Sequence, residues 1–106
     1  MLDTKEDIKR RKQLAQTAFN DRKNSLVTNK ISMRMKLRIL DAYVTPIFLY
    51  NSETWTLTKN VEKEIDVFQR KLLRRILRIR WPKKISNQEL LAVTKAVHWS
   101  IVIARR

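Results

Sequence analysis

The chain has 106 residues, enough for one small domain, and contains neither Gly nor Cys. Its 24 Lys and Arg against 10 Asp and Glu give a net charge of +14 and a pI near 10.8, far more positive charge than solubility requires. This composition excludes disulfides and thiolate metal sites, argues against Gly-dependent phosphate loops and dinucleotide turns, and indicates a polyanionic partner.

Helical periodicity, together with the absence of the Gly that tight hairpins favour, predicts one all-α domain over residues 1–106, a small bundle of three to four helices. The first two helices fall in residues 1–57, and a basic helix and the segment after it fall in residues 58–106. The longest apolar run, AYVTPIFLY, has nine residues, and the N-terminus lacks an apolar signal core. We therefore expect a soluble intracellular chain, nuclear or cytoplasmic.

The first predicted helix begins at Thr4, whose hydroxyl can cap it together with Asp7 three residues later. Apolar residues then recur at an approximately helical period: Ile8, Leu14, Ala15, Ala18, Phe19 and Leu26. The helix is expected to end between Asn24 and Asn29, because Asn readily takes the left-handed conformation that ends a helix. Asn20 and Asn51 are placed near expected helix ends for the same reason.

The second predicted helix starts at Ser32 and carries apolar residues on one face: Met35, Leu40, Tyr43, Val44 and Ile47. Pro46 lacks a backbone donor and is expected to kink or break this helix. The polar connection NSETWTLT follows and holds Trp55.

The third predicted helix is capped by Thr58 and has apolar residues at spacings of three and four: Val61, Ile65, Phe68, Leu72, Ile76 and Ile79. Trp81 followed by Pro82 is expected to end it, because a residue before Pro is pushed out of the helical region. Ser86 and Glu89 then form a capping box that opens a short fourth helix through residues 90–93.

The third helix carries a cationic run, with eight Lys or Arg and no acid between Arg70 and Lys84. At 100° per residue, five of them share an arc of roughly 140°, on the side away from the apolar residues. The predicted nucleic-acid-binding set is Arg70, Lys71, Arg74, Arg75, Arg78, Arg80, Lys83 and Lys84.

Two alternatives to nucleic-acid binding are open for this run. A helix that begins with Glu62, Glu64 and Asp66 and ends in Arg also complements its own dipole. Basic amphipathic helices also lie on anionic membranes, but they need a free apolar face, which this small domain requires for its core. A dipole needs one or two cations, whereas eight uncompensated ones repel one another unless a polyanion is near. Nucleic acid is the favoured partner.

No catalytic or metal-binding set emerges from the remaining residues. Glu62 and Asp66 could bind a metal or complement the helix dipole, and dipole complementation is the favoured interpretation. His98 has no Ser or Cys in a spacing typical of a catalytic pair. Trp55 and Trp81 could stack on bases or be buried in the core, and burial in the core is the favoured interpretation. We expect a chain with no enzymatic activity of its own, no metal and no cofactor.

Three ordered motifs stand out along the chain. They are the I-K-R-R helix leading to residues 18–20, the L-Y-x-x-E-T-W motif ending at Trp55, and L-R-R-I-L-R-I-R-W-P before I-S-N-x-E-L-L. In this order they resemble the segment downstream of the catalytic palm in reverse transcriptases of non-LTR (LINE-type) retrotransposons. The resemblance spans roughly residues 5–93.

The resemblance implies the polymerase thumb and the start of its connector, a small helical bundle that holds the template–primer duplex, DNA or RNA, behind the active site. The palm aspartates, the fingers and the endonuclease of that family lie outside the matching segment, so no catalytic residue is carried over. The family usually has Gly where Asn51 stands, and the tail KAVHWSIVIARR does not resemble its connector. The alternative is a structural or interaction module, derived from a retroelement, whose basic face binds no nucleic acid.

Overall fold

The computed structural model describes residues 3–28, 30–77 and 86–105 of the chain. Within these ranges the chain is helical without any strand, which confirms the predicted all-α class. The helices described are α1 Thr4–Asp21, α2 Lys23–Leu26, α3 Met33–Tyr43, α4 Thr45–Leu49, α5 Lys59–Leu77, α6 Asn87–Thr94 and α7 Trp99–Ala104, and a 3-10 turn covers Ser52–Thr54. None of these described helices has the length and apolar content needed to cross a membrane.

The first predicted helix is divided into α1 and the short α2. The prediction that Thr4 caps it is wrong: the N-cap is Asp3, whose carboxylate accepts a hydrogen bond from the Glu6 N–H at 2.8 Å. A carboxylate is a stronger acceptor than a hydroxyl for the free N–H groups at a helix start, which explains the shift by one residue. The Thr4 hydroxyl instead accepts the Thr56 N–H at 3.1 Å.

The second predicted helix is divided into α3 and α4. Ser32 caps α3 as predicted, because its hydroxyl accepts the Met35 N–H at 3.2 Å. Pro46 breaks the helix as predicted, but the break falls at Val44, two residues earlier. Pro46 has no backbone N–H, so it fits best in the first turn of a helix, where the N–H groups have no intrahelical acceptor. The new helix α4 therefore begins at Thr45, just before Pro46.

Side-chain caps also start α5 and α6 where the sequence predicts them. The Thr58 hydroxyl accepts the Val61 N–H at 3.2 Å, and the Ser86 hydroxyl accepts the Glu89 N–H at 3.1 Å. The predicted stop of the third helix at residues 81–82 lies outside the described residues.

An aromatic cluster forms the centre of the core. Phe48 of α4 is fully buried, and its ring stacks on Trp99 with centroids 4.7 Å apart and on Phe68 at 5.3 Å. Trp55 packs edge-on against the same ring at 5.6 Å and is 7% exposed. Trp55 is therefore a core residue, and the alternative that it stacks on bases is wrong because its ring is covered.

The tail that follows α6 is part of this core. Trp99 at the start of α7 is buried, and two α5 side chains hold the backbone around it. The Gln69 amide accepts the Trp99 N–H and donates to the Val97 carbonyl, both at 2.9 Å. The Asp66 carboxylate accepts the N–H and the hydroxyl of Ser100, at 3.1 and 2.7 Å. The segment for which the sequence indicated no role thus closes one side of α5.

Two of the described residues take the left-handed backbone conformation, Asn51 with φ 59° and Lys95 with φ 55°. Asn51 follows α4, and Asn is the residue other than Gly that takes this conformation at least cost. Asn20 and Asn24 also lie near helix ends, in the last turn of α1 and in the short α2, but neither takes the left-handed conformation.

The connection between α4 and α5 is bound to α1. The Trp55 indole N–H donates to the Asp7 carboxylate at 2.7 Å, and Asp7 lies 4.0 Å from the Arg11 guanidinium. Arg11 in turn stacks over the Tyr50 ring, 5.0 Å from its centroid. The I-K-R-R motif and the L-Y-x-x-E-T-W motif are therefore in contact in the folded chain. The contacting residues belong to these two motifs, except Asp7, which immediately precedes the first.

Candidate nucleic-acid interface

Helix α5 buries the face that its apolar spacing predicts. Five of the six predicted core residues are buried: Val61, Ile65, Phe68, Leu72 and Ile76. The sixth, Ile79, lies outside the described residues. Gln69, Leu73 and Leu77 are buried as well, because α6 and α7 cover a second side of the helix. The apolar face that a membrane-surface helix would expose is therefore inside the domain.

The other side of α5 is cationic. Lys71 is exposed and Arg70 is half-buried, and neither makes a hydrogen bond or ion pair within the described part of the chain. Lys63 is also exposed and falls on the same arc at 100° per residue, and the exposed Lys59 lies about 20° beyond the edge of that arc. With Arg74 these residues form what we term the cationic face of α5, and at 1.5 Å per residue it extends over about 22 Å.

Arg74 and Arg75, the next two members of the predicted set, are half-buried and take part in tertiary contacts. The Arg74 guanidinium donates to the Asn87 side-chain oxygen at 2.7 Å, which joins α5 to the start of α6. The Arg75 guanidinium lies over the Phe19 ring, 4.4 Å from its centroid, and contacts the Asn20 side-chain oxygen at 3.5 Å. These contacts fix the direction of both side chains.

The structure thus places four of the eight predicted residues, Arg70, Lys71, Arg74 and Arg75, on one helix. The other four, Arg78, Arg80, Lys83 and Lys84, lie outside the described residues, as does Trp81.

A pocket of about 340 Å³ between α1 and α5 adjoins the cationic face. Lys63 and Lys71 line it from α5, and Lys12 enters it from α1, with its ammonium 2.8 Å from the Glu64 carboxylate. The predicted basic set does not include Lys59 and Lys63, because it is defined by the run of residues 70–84 that has no acid. The helical spacing of both residues from Arg70 would have placed them near the same face. No sequence signal identifies Lys12, because its position depends on how α1 packs against α5.

Two of the remaining candidate groups, Asp66 and His98, lie in contact with the C-terminal segment or with each other. Both oxygens of Asp66 accept hydrogen bonds from Ser100, and His98 Nδ1 lies 3.5 Å from the nearer one. The Ser100 hydroxyl donates to Asp66 and not to His98, so these residues do not form a pair of nucleophile and base. Among the residues that the structure describes, no three or more His, Cys, Asp or Glu side chains converge to hold a metal ion.

Comparison with known proteins gives a match to an uncharacterized transposon-derived protein of Caenorhabditis elegans, with 32% identity over 75 residues. The match covers 69% of this chain and 26% of that protein, so the chain spans about a quarter of the relative's length. No protein-family model matches the chain. No solved structure gives a significant match either.

Proposed function

We propose that this chain is the thumb, with the start of the connector, of a reverse transcriptase of the non-LTR retrotransposon type, and that it holds the backbone of a template–primer duplex. The observation that carries the proposal is the cationic face of α5, which lies on the side of the helix away from a well-formed core. The three ordered motifs and the 32% identity to a transposon-derived protein support this origin.

The proposed binding is electrostatic and independent of sequence. Lys and Arg on successive turns of one exposed helix face contact phosphate oxygens without reading base edges. Each phosphate that is neutralised releases condensed counterions, so the affinity falls as the salt concentration rises. A thumb needs this kind of contact, because it must hold every sequence that the polymerase copies.

A specific observation favours a second candidate, a structural or interaction module that binds no nucleic acid. Arg74 and Arg75 each bridge two helices, so part of the basic run stabilises the bundle itself. No such contact is made within the described ranges by Arg70, Lys71 or Lys63. Replacing these residues therefore distinguishes the two candidate functions, because only the first requires them for binding.

The test measures duplex affinity at several salt concentrations for the double variant Arg70→Gln/Lys71→Gln. Neither side chain makes a hydrogen bond to another described residue, so circular dichroism should match that of the unchanged protein. On duplex DNA, losing two phosphate contacts should reduce the magnitude of the log–log salt slope by about 1.8 and weaken binding to unrelated sequences alike.

The matched control is Arg34→Gln/Arg38→Gln, which removes the same charge from exposed positions on α3. Its salt slope should stay within about 0.5 of that of the unchanged protein, because these residues lie away from the cationic face. If the Arg70→Gln/Lys71→Gln variant kept the affinity and slope of the unchanged protein, the structural module would be the better interpretation.

A further inference from the structure

A groove of about 620 Å³ lies between α3 and α6, and no α5 residue lines it. Arg34 and Arg38 line one wall, one turn apart on α3, which places them about 6 Å apart along the helix axis. Lys95, which follows α6 in the left-handed conformation, lies on the other wall. All three cations are exposed, and Asp41 is the one carboxylate among the described lining residues.

The same groove has apolar lining. Met33 and Leu37 of α3 are half-buried and pack against the core, and Val93 of α6 is 40% exposed. Met adapts its shape to different partners and recurs in grooves that accept helices. The volume falls within the range of about 300 to 1,000 Å³ that is typical of ligand pockets.

We propose that this groove binds an acidic amphipathic helix of a partner protein. Carboxylates one turn apart on such a helix pair with Arg34 and Arg38, while its apolar residues cover Leu37. The three cations explain why the partner should be acidic, and the apolar lining explains why it should be amphipathic rather than merely anionic.

Nucleic acid fits this groove less well. Proteins that bind single strands stack bases on aromatic rings, and none of the described residues that line the groove is aromatic. The backbone of a duplex gains nothing from the apolar side chains of Met33 and Val93. The inference therefore goes beyond the proposed function, because it assigns a separate surface to a different class of partner.

The probe is a fluorescently labelled 18-residue helical peptide with Glu pairs spaced four residues apart beside a stripe of Leu. Two control peptides replace either all Glu with Gln or all Leu with Ser. Fluorescence anisotropy measures the affinity of each for the unchanged protein and for two double variants, Arg34→Gln/Arg38→Gln and Arg70→Gln/Lys71→Gln. Backbone amide chemical shifts locate the bound peptide.

The Glu and Leu peptide should bind more tightly than either control peptide and should shift the amides of residues 33–41 and 93–97. The Arg34→Gln/Arg38→Gln variant should lose about tenfold in affinity, the effect expected from two exposed ion pairs in the upper half of their range. The Arg70→Gln/Lys71→Gln variant should stay within about twofold, since its charges lie on another surface.

Equal losses in the two double variants would overturn the inference, because binding would then depend only on net charge. Equal affinity for the peptide that has Ser in place of Leu would overturn it as well, since the apolar lining would contribute nothing. A single-stranded 12-mer that shifted the amides of residues 93–97 would assign the groove to nucleic acid. Failure of the duplex titration with Arg70→Gln/Lys71→Gln would leave these outcomes unaffected, so the two proposals fail separately.

Discussion

Replacing Trp99 with Ala tests whether the C-terminal tail is an integral part of the domain. Trp99 is 3% exposed, and its ring stacks on Phe48 at 4.7 Å and lies 6.3 Å from that of Phe68. Truncation to Ala removes the whole indole from the centre of the aromatic cluster and leaves a cavity between α4, α5 and α7. The backbone contacts of Gln69 can remain, so the change probes the ring alone.

The free energy of unfolding should fall by about 3 to 5 kcal/mol, the usual cost of deleting a large aromatic side chain from a core. Aromatic contacts contribute about 0.5 to 1.5 kcal/mol of this beyond the buried area. A small domain has only about 5 to 15 kcal/mol of stability in total, so the variant should be close to unfolding at 37 °C.

The assay is urea unfolding followed by circular dichroism at 222 nm. With a slope of about 1.5 kcal/mol per molar urea, the midpoint should fall by about 2 to 3 M. The matched control is Ile101→Ala on the same helix, which is 41% exposed and should change stability by about 0.5 kcal/mol or less. A loss for Trp99→Ala no larger than for Ile101→Ala would refute the conclusion that α7 closes the core.

Two further predictions concern the turn after α4 and the chemistry of the isolated chain. Because Asn51 has φ 59°, Asn51→Ala should cost about 1 kcal/mol in thermal unfolding, whereas Asn51→Gly should be as stable as the unchanged protein or more so. Equal stability of the Ala and Gly variants would contradict this interpretation of the turn. Primer-extension assays with Mg²⁺ or Mn²⁺ should show no nucleotide incorporation, because two-metal catalysis needs converging carboxylates and Asp66 is engaged with Ser100. Incorporation by the pure chain would overturn that expectation.

The amino-acid sequence by itself determined the helical class and the starts of three of the seven described helices, α3, α5 and α6. Ser32, Thr58 and Ser86 cap helices as predicted, because a cap depends on a side chain and backbone N–H groups two or three residues away. The buried face of α5 was also predictable, since the spacing of its apolar residues contains the helical period. The cationic side of α5 follows from the same geometry.

Only the tertiary structure decided which of the basic residues contact the rest of the chain. Arg75 lies over Phe19, Lys12 reaches Glu64, and Lys36 is fully buried, although the sequence around each is typical of an ordinary helix. Contacts of this kind join residues far apart in the chain, so no local spacing encodes them. Similarly, α7 is a short helix that local sequence does not predict, and it is held in place because Gln69 and Asp66 of α5 satisfy its first free N–H groups.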